Sequence, residues 1–548
     1  MKNQFRGVLF ASACWVMASA AGVQTGLAAG APDPSATVMR RLTPQQYQRT
    51  IGDIFGVDID VRGRFEPASR VAGLLEVGNG QVGLTAAAFQ QYYMMAQEIA
   101  AEALDAAHRD ALVPCKPANA AGADNVCARE FLAKVGELIY RRPLTNEELK
   151  AHLDVAMQSA VALKNFYAGL SLTLETMLVQ PQFIYRQETV IPSKRKPGSF
   201  ELDAYSKATR LSFFFWNTAP DRALLDAAKN GSLDTPVGMA KQIDRLAASP
   251  RIENSIRAFF SDILRFDQFA NLGMDRNLYP NLTRDTLEDA REQTLRTIAD
   301  HLVERRGDYP GLFTTRNTFL TPILGSLYRV PAVTDASNGD PKKWTAYTFG
   351  PGDPHAGILT HISFVSLHSY PGRTSPALRG RAIREIILCQ NVPNPPRNVD
   401  FTVVQDITNP QYKTARERLN AHATEPLCTG CHKVIDPIGL ALESFDVDGS
   451  YRASENGAPI DTSGMIDSKP FNNVQTLGQV VGQLPAATQC VARRMTAYGL
   501  GRDIPAQAEW LKQIQASFAR QGYRVTDLMK IVASSPEFYQ SAGTNDRR

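Results

Sequence analysis

Cys428-Thr429-Gly430-Cys431-His432 sets two thiols three positions apart, with an imidazole directly after the second. This C-x-x-C-H spacing is the attachment signature of a c-type haem. On a helical turn, thiols so spaced share one side and can reach the two vinyl groups of one porphyrin. The adjacent histidine then projects a ring nitrogen at the iron as proximal ligand. Other uses of paired cysteines fit less well. A thioredoxin-like redox pair wants a βαβ setting, which the sequence does not suggest. A zinc knuckle wants a second C-x-x-C or a histidine pair at close spacing, and none follows.

The flanks suit a haem crevice. In Ile435-Asp436-Pro437-Ile438-Gly439-Leu440-Ala441-Leu442, Pro437 is expected to fix a turn and Gly439 to let backbone approach a flat ligand. Ile438, Leu440, Leu442 and Phe445 could keep water from the iron, which raises a reduction potential. Ordinary core packing would place the same residues inside. Asp436, Asp446 and Asp448 do not match a calcium loop, so turn and cap roles are expected for them. For the sixth iron ligand the first candidate is Met465, on a loop 33 residues after His432. Met495, a histidine (His355, His361, His368 or His422), or an open position are the alternatives. Upstream, Arg373 and Arg379 flank Thr374-Ser375-Pro376, a turn leading into a helix with Pro376 at its first position. Both arginines could clamp the haem propionates, or simply sit at a solvated helix end.

The elements around these residues read as mainly α: a multi-domain helical body with a C-terminal c-type-cytochrome-like haem domain. Thr43-Pro44-Gln45-Gln46 and Thr145-Asn146-Glu147-Glu148 are helix starts of capping-box type. Gly501-Arg502-Asp503-Ile504-Pro505 is a weaker echo. Apolar residues at helical spacing run through Phe89–Leu104, Phe131–Tyr140, Phe166–Val179 and Ile252–Phe266. Segments 115–127, 191–200, 330–356 and 391–410 read as loops, with a short strand at Trp344–Phe349. The expected divisions are helical domains at 37–110, 111–190 and 200–330, a haem-attachment domain at 355–455 and a helical domain at 470–540.

Met1–Ala29 reads as a secretory signal: basic Lys2 and Arg6, an apolar stretch from Val8 to about Val23, and Leu27-Ala28-Ala29 as the cleavage site. No later segment reaches the length of apolar run that a spanning helix needs, so a periplasmic or secreted protein is expected. With 548 residues, 44% apolar and 21% charged, the composition excludes a disordered chain, a collagen-like repeat and a small disulfide scaffold. Net charge is +4 with the two signs interleaved, which gives no nucleic-acid footprint. The sequence holds no nucleophile elbow, Walker loop or dinucleotide fingerprint.

From these motifs the chain resembles the multi-domain cytochrome-c-like proteins abundant in planctomycetes and found in other Gram-negative bacteria, built from five adjoining domains of unknown function. The pieces that carry the resemblance run nearly the whole length. They are Arg41-Leu42-Thr43-Pro44-Gln45-Gln46-Tyr47; Tyr140-Arg141-Arg142-Pro143-Leu144-Thr145; and Arg210-Leu211-Ser212-Phe213-Phe214-Phe215-Trp216-Asn217 with Pro220-Asp221-Arg222-Ala223-Leu224-Leu225. Next come Arg373-Thr374-Ser375-Pro376 and Arg379-Gly380 with Cys428–His432, Asp436–Gly439 and Leu442–Asp446, and last Tyr498-Gly499-Leu500-Gly501-Arg502. The resemblance implies Cys428, Cys431 and His432 as the residues that attach and ligate one covalent haem. It departs from the family where Tyr370 precedes Pro371 in place of the usual histidine.

Three functions are compatible with this reading. One is electron transfer with a redox partner protein; another is a haem enzyme of peroxidase or oxygenase type; the last is a non-redox binding scaffold. The seven cysteines sort accordingly. Cys14 leaves with the signal, and Cys428 and Cys431 hold haem. Cys115 and Cys127 are expected to close a local loop. Cys389 and Cys490 remain, either as a long-range bridge or as two buried thiols.

Overall fold

The computed structural model describes residues 38–540 except 82, 194–196, 331–338, 396–398, 400, 424 and 425. The expected signal, with Cys14, lies outside the described residues, as do Pro396 and part of the 330–356 loop.

The fold is mainly helical, and its helices start where the capping chemistry says they should. Helix Pro44–Phe55 opens on Thr43, whose hydroxyl accepts from Gln46 N while Gln46 Oε1 accepts from Thr43 N at 3.1 Å. Helix Asn146–Leu163 opens the same way on Thr145 and Glu148. Each box satisfies two amides that a helix end leaves orphaned. The third echo behaves differently. Gly501, at φ 65°, ends helix Pro485–Leu500, and the next helix begins only at Glu509. A positive φ is what glycine supplies at a helix end.

The apolar periodicities become helices Ala86–Ala103, Asn125–Tyr140, Phe166–Leu178 and Ile252–Ile263. Strands among the described residues form two-stranded antiparallel ladders. The expected strand near Trp344 is Thr345–Thr348, paired with Asn317–Leu320.

Packing unites what the sequence divides. Residues from Leu42 to Ala219 share one core, including Tyr47, Phe131, Phe166 and Leu170. A larger core runs from Leu74 to Tyr539 and takes in Ile438, Leu442 and the last helices together. Helix Ala204–Trp216 joins the two: Phe213 packs into the first, and Phe214, Phe215 and Trp216 into the second. It is buried from Ser206 to Trp216, its charged members included, because Lys207 pairs with Asp234 and Arg210 with Glu188.

Segments early and late in the described residues meet beside this helix. Strand Val38–Arg41 pairs with Tyr185–Glu188. Buried Glu188 receives Arg40 Nη2 at 2.5 Å and Arg210 Nε at 2.8 Å. Arg40 also donates to Gly499 O, and a Cβ at Gly501 would lie 2.3 Å from its side chain. The Arg40-Arg41 lead-in and the Tyr498–Arg502 segment are thus in contact.

Both expected disulfides are formed, Cys115–Cys127 and Cys389–Cys490, with Cα atoms 5.6 and 5.4 Å apart. Among the described residues no helix is long and apolar enough to cross a membrane.

Candidate functional site

Cys428, Cys431 and His432 lie on helix Pro426–Leu440. The helix passes through Pro437 without ending, so that proline sits inside it instead of making the expected turn. Pro437 has no N–H to donate. Nearby, Arg384 Nε donates to Val434 O at 3.1 Å.

Two glycines set the position of this helix. It crosses helix Pro376–Ala382 so closely that a Cβ at Gly439 would lie 1.8 Å from Pro376 O, and one at Gly380 2.0 Å from Ile435 O. Gly439 therefore admits a neighbouring helix and not a flat ligand. Helix Pro376–Ala382 opens on Ser375, whose hydroxyl accepts from Leu378 N, as the Ser-Pro order predicts.

Glu443 ties the turn before one helix to the chain after the other. Its buried carboxylate accepts from Thr374 Oγ1 at 2.8 Å and Arg452 Nη2 at 3.2 Å, and lies 3.6 Å from Arg379 Nη1. Burial nevertheless pushes its pKa up against these cations. Asp448 caps a turn through Ser450 N, and Asp446 accepts from Val447 N and from Tyr279 Oη.

Neither Cys428 nor Cys431 is in a disulfide, and both are partly exposed. Space beside them is open, since a Cβ at Gly430 would meet nothing within 4 Å. His432 is pinned from its own helix: Nδ1 is 2.8 Å from Asp436 Oδ2, one turn on. That hydrogen bond raises the imidazole pKa and leaves Nε2 as the ring's other nitrogen. A carboxylate on one ring nitrogen is the usual way a ligating histidine is oriented.

His432 lines a cleft of about 400 Å³, within the range of small-molecule and cofactor sites. The opposite wall is helix Ala415–His422. Thr414 and Glu417 form its capping box, and Glu455 holds it through Ala415 N at 2.7 Å and Arg418 Nη2 at 2.5 Å. Its last residue, His422, is stacked on Phe401 and meets the His432 ring edge to face, centroids 5.1 Å apart. Thr429 Oγ1 bonds back to Ala423 O at 2.7 Å, linking the two walls. Arg373, Arg418 and Tyr279 also face the cleft. Arg373 stacks on Tyr370 at 4.1 Å, and burial aided by the Arg418 charge lowers its pKa.

The expected site residues separate into two groups. His432 and Arg373 share the cleft, with the two thiols on the same helix as His432. Arg379, Ile438 and Met465 do not line it. Arg379 is fully buried behind helix Pro426–Leu440, where Nη1 donates to Leu442 O and Phe445 O at 2.8 Å each. Its donors serve backbone carbonyls and so are not aimed at a propionate. Ile438 is fully buried in the larger core. Met465 is 56% exposed on the outer side of strand Gly464–Ile466, because alternation along the strand sends Ile466 inward. Met495 is core, and His355, His361 and His368 are buried outside the cleft.

Sequence reasoning did not single out Arg418, Phe401 or Tyr279. Arg418 could have been found, since Thr414-x-x-Glu417 announces a helix on which residues 418 and 422 share a face. Tyr279 belongs to a distant segment with no local signal.

Five family models match along the chain, each described as a protein of unknown function. They are DUF1587 over residues 40–105, DUF1595 over 127–188, DUF1592 over 202–330, DUF1588 over 355–455 and DUF1585 over 467–538. The model matching 355–455, which contains the cleft's two helices, bears the short name PSCyt3. No curated protein and no solved structure matches.

Proposed function

From a chain that belongs to the planctomycete-type, cytochrome-c-associated family of five adjoining domains, we propose an exported c-type haem protein that transfers electrons through one covalently attached haem. The observation that carries the reading is the donor set on one helix. Two unbridged thiols lie three positions apart, and beside them His432 faces a cleft with its Nδ1 already engaged by Asp436. The short name PSCyt3 points the same way.

The residues present fit the group. Among the described residues no three His, Cys, Asp or Glu side chains converge to hold a bare metal ion. Haem brings four ring nitrogens of its own and asks the protein for only one or two more. Each thiol S–H would add across a vinyl group, and His432 Nε2 would be the proximal ligand. Bound there, haem supplies one-electron chemistry. The chain's own side chains do the rest. Asp436 fixes the His432 ring and makes it a more basic ligand. Arg373 offers guanidinium donors to the propionate carboxylates, and Arg418, itself bonded to Glu455, adds positive charge at the cleft. Phe401 and Leu419 give the cleft an apolar lining.

Export fits the two disulfides, which persist in oxidising compartments. The partner would be a protein that supplies or accepts electrons.

Optical spectroscopy on protein made with a c-type maturation system tests the reading. A low-spin reduced spectrum unchanged by carbon monoxide is expected. A high-spin ferric form that shifts with peroxide or cyanide would favour the haem enzyme. No covalent haem on a denaturing gel would leave the binding scaffold.

A further inference from the structure

We propose that His422 is the second axial ligand of the iron. The inference rests on the haem reading above and settles which side chain opposes His432.

Six side chains were open to this role on sequence grounds, and five of them are away from the cleft. Met465 points to solvent, Met495 is in the core, and His355, His361 and His368 are buried elsewhere. Only His422 shares the cleft with His432. The two imidazoles come from different helices and converge with ring centroids 5.1 Å apart at 81°. Imidazoles carried on two separate helices that border one cleft can come to opposite faces of a flat ring once that ring parts them.

His422 is also held for the task. It is 8% exposed and stacked on Phe401. Its helix is fixed at the other end by the Thr414–Glu417 box and by Glu455, which takes both Ala415 N and Arg418. Thr429, between the two cysteines, bonds to Ala423 O just past His422, so the His422 wall and the attachment turn are registered directly. Two nitrogen ligands close both axial positions, which suits electron transfer and leaves no open site for peroxide or oxygen.

The test is the electronic spectrum and electron paramagnetic resonance of the holoprotein and of His422→Ala, each with covalent haem counted per chain. The wild type is expected to be low-spin with bis-imidazole signals and without the weak long-wavelength band of a methionine sulfur. His422→Ala is expected to keep one covalent haem, to lose the low-spin signal, and to regain it with added imidazole. His422→Met is expected to introduce the sulfur band. A His422→Ala protein with haem and an unchanged low-spin spectrum would overturn the assignment, as would a sulfur band in the wild type that Met465→Ala removes. In either case the haem reading stands. A wild type without covalent haem would overturn both.

Discussion

At the scale of single residues, the site depends on hydrogen bonds that orient and tune. Asp436 holds His432 Nδ1 at 2.8 Å. Such partners typically matter 10–100-fold, roughly, in metal affinity or activity. Asp436→Ala should keep both thioethers but make His432 a less basic ligand, which favours reduced iron. Redox titration should show a higher reduction potential, and an unchanged potential would mean that Asp436 does not act on the iron. Buried His361 behaves differently. Burial, with the nearby His355 charge adding to it, lowers its pKa to about 3. The unfolded chain binds a proton near the ordinary value of about 6.5, so stability falls as pH drops below that value. Between pH 7 and 5 this amounts to about 2 kcal/mol for one such group. His361→Asn, which does not titrate, should lose that much less stability than wild type over the same interval in urea melts. Parallel slopes would contradict this.

Among the elements, helix Pro426–Leu440 stands where it does because two glycines let it cross helix Pro376–Ala382 at backbone contact. Gly439→Ala or Gly380→Ala would place a methyl about 2 Å from a carbonyl oxygen. Overpacking of this sort costs about 1–3 kcal/mol or more, because backbone cannot give way as a flexible side chain can. Either variant should therefore lower the denaturant midpoint and incorporate less haem, and wild-type values for both would show that the crossing is looser than described. This crossing also marks where the sequence stopped being legible. Helix starts at Thr43, Thr145, Ser375 and Thr414 follow from local capping chemistry, which is written within four residues. The role of Gly439 depends on Pro376, 63 positions away, so only packing could correct its reading from ligand contact to helix contact. Arg379 and Arg373 looked equivalent in sequence for the same reason. One faces carbonyls behind the helix and the other faces the cleft, and the spacing of six residues does not say which.

At the scale of the whole molecule, five sequence segments fold around two large cores that share helix Ala204–Trp216. Two long-range ties hold this arrangement. Arg40, Arg210 and Arg186 outweigh burial and keep the Glu188 carboxyl at about 2. Its folded pKa is depressed, so its contribution is present above the unfolded value of about 4.3 and lost as pH falls toward 2. Glu188→Gln should remove that part of the acid transition and leave buried Arg40 and Arg210 short of a charged partner, with a loss of about 3–5 kcal/mol. A melt as stable as wild type at pH 7 would refute the role. The other tie is Cys389–Cys490, which closes a separation of 101 residues against 12 for Cys115–Cys127. Loop entropy gives about 4.7 kcal/mol for a loop near 100 residues and about 3 for one near 15. Serine at Cys389 and Cys490 together should thus lower the melting temperature more than serine at Cys115 and Cys127. The cysteine spacing made the Cys115–Cys127 bridge legible and left Cys389–Cys490 open between a bridge and two buried thiols; the two cores were not legible, because they are built from residues hundreds of positions apart.

The central claim is that Cys428 and Cys431 carry one haem covalently. Intact mass and visible absorbance of the purified protein, both taken after denaturation, test it most directly. The wild type should weigh one haem more than its polypeptide and keep the haem absorbance when unfolded, and Cys428→Ala/Cys431→Ala should show the bare polypeptide mass. A wild type at bare mass after passage through a c-type maturation system, or a double variant that still carries covalent haem, would contradict the account.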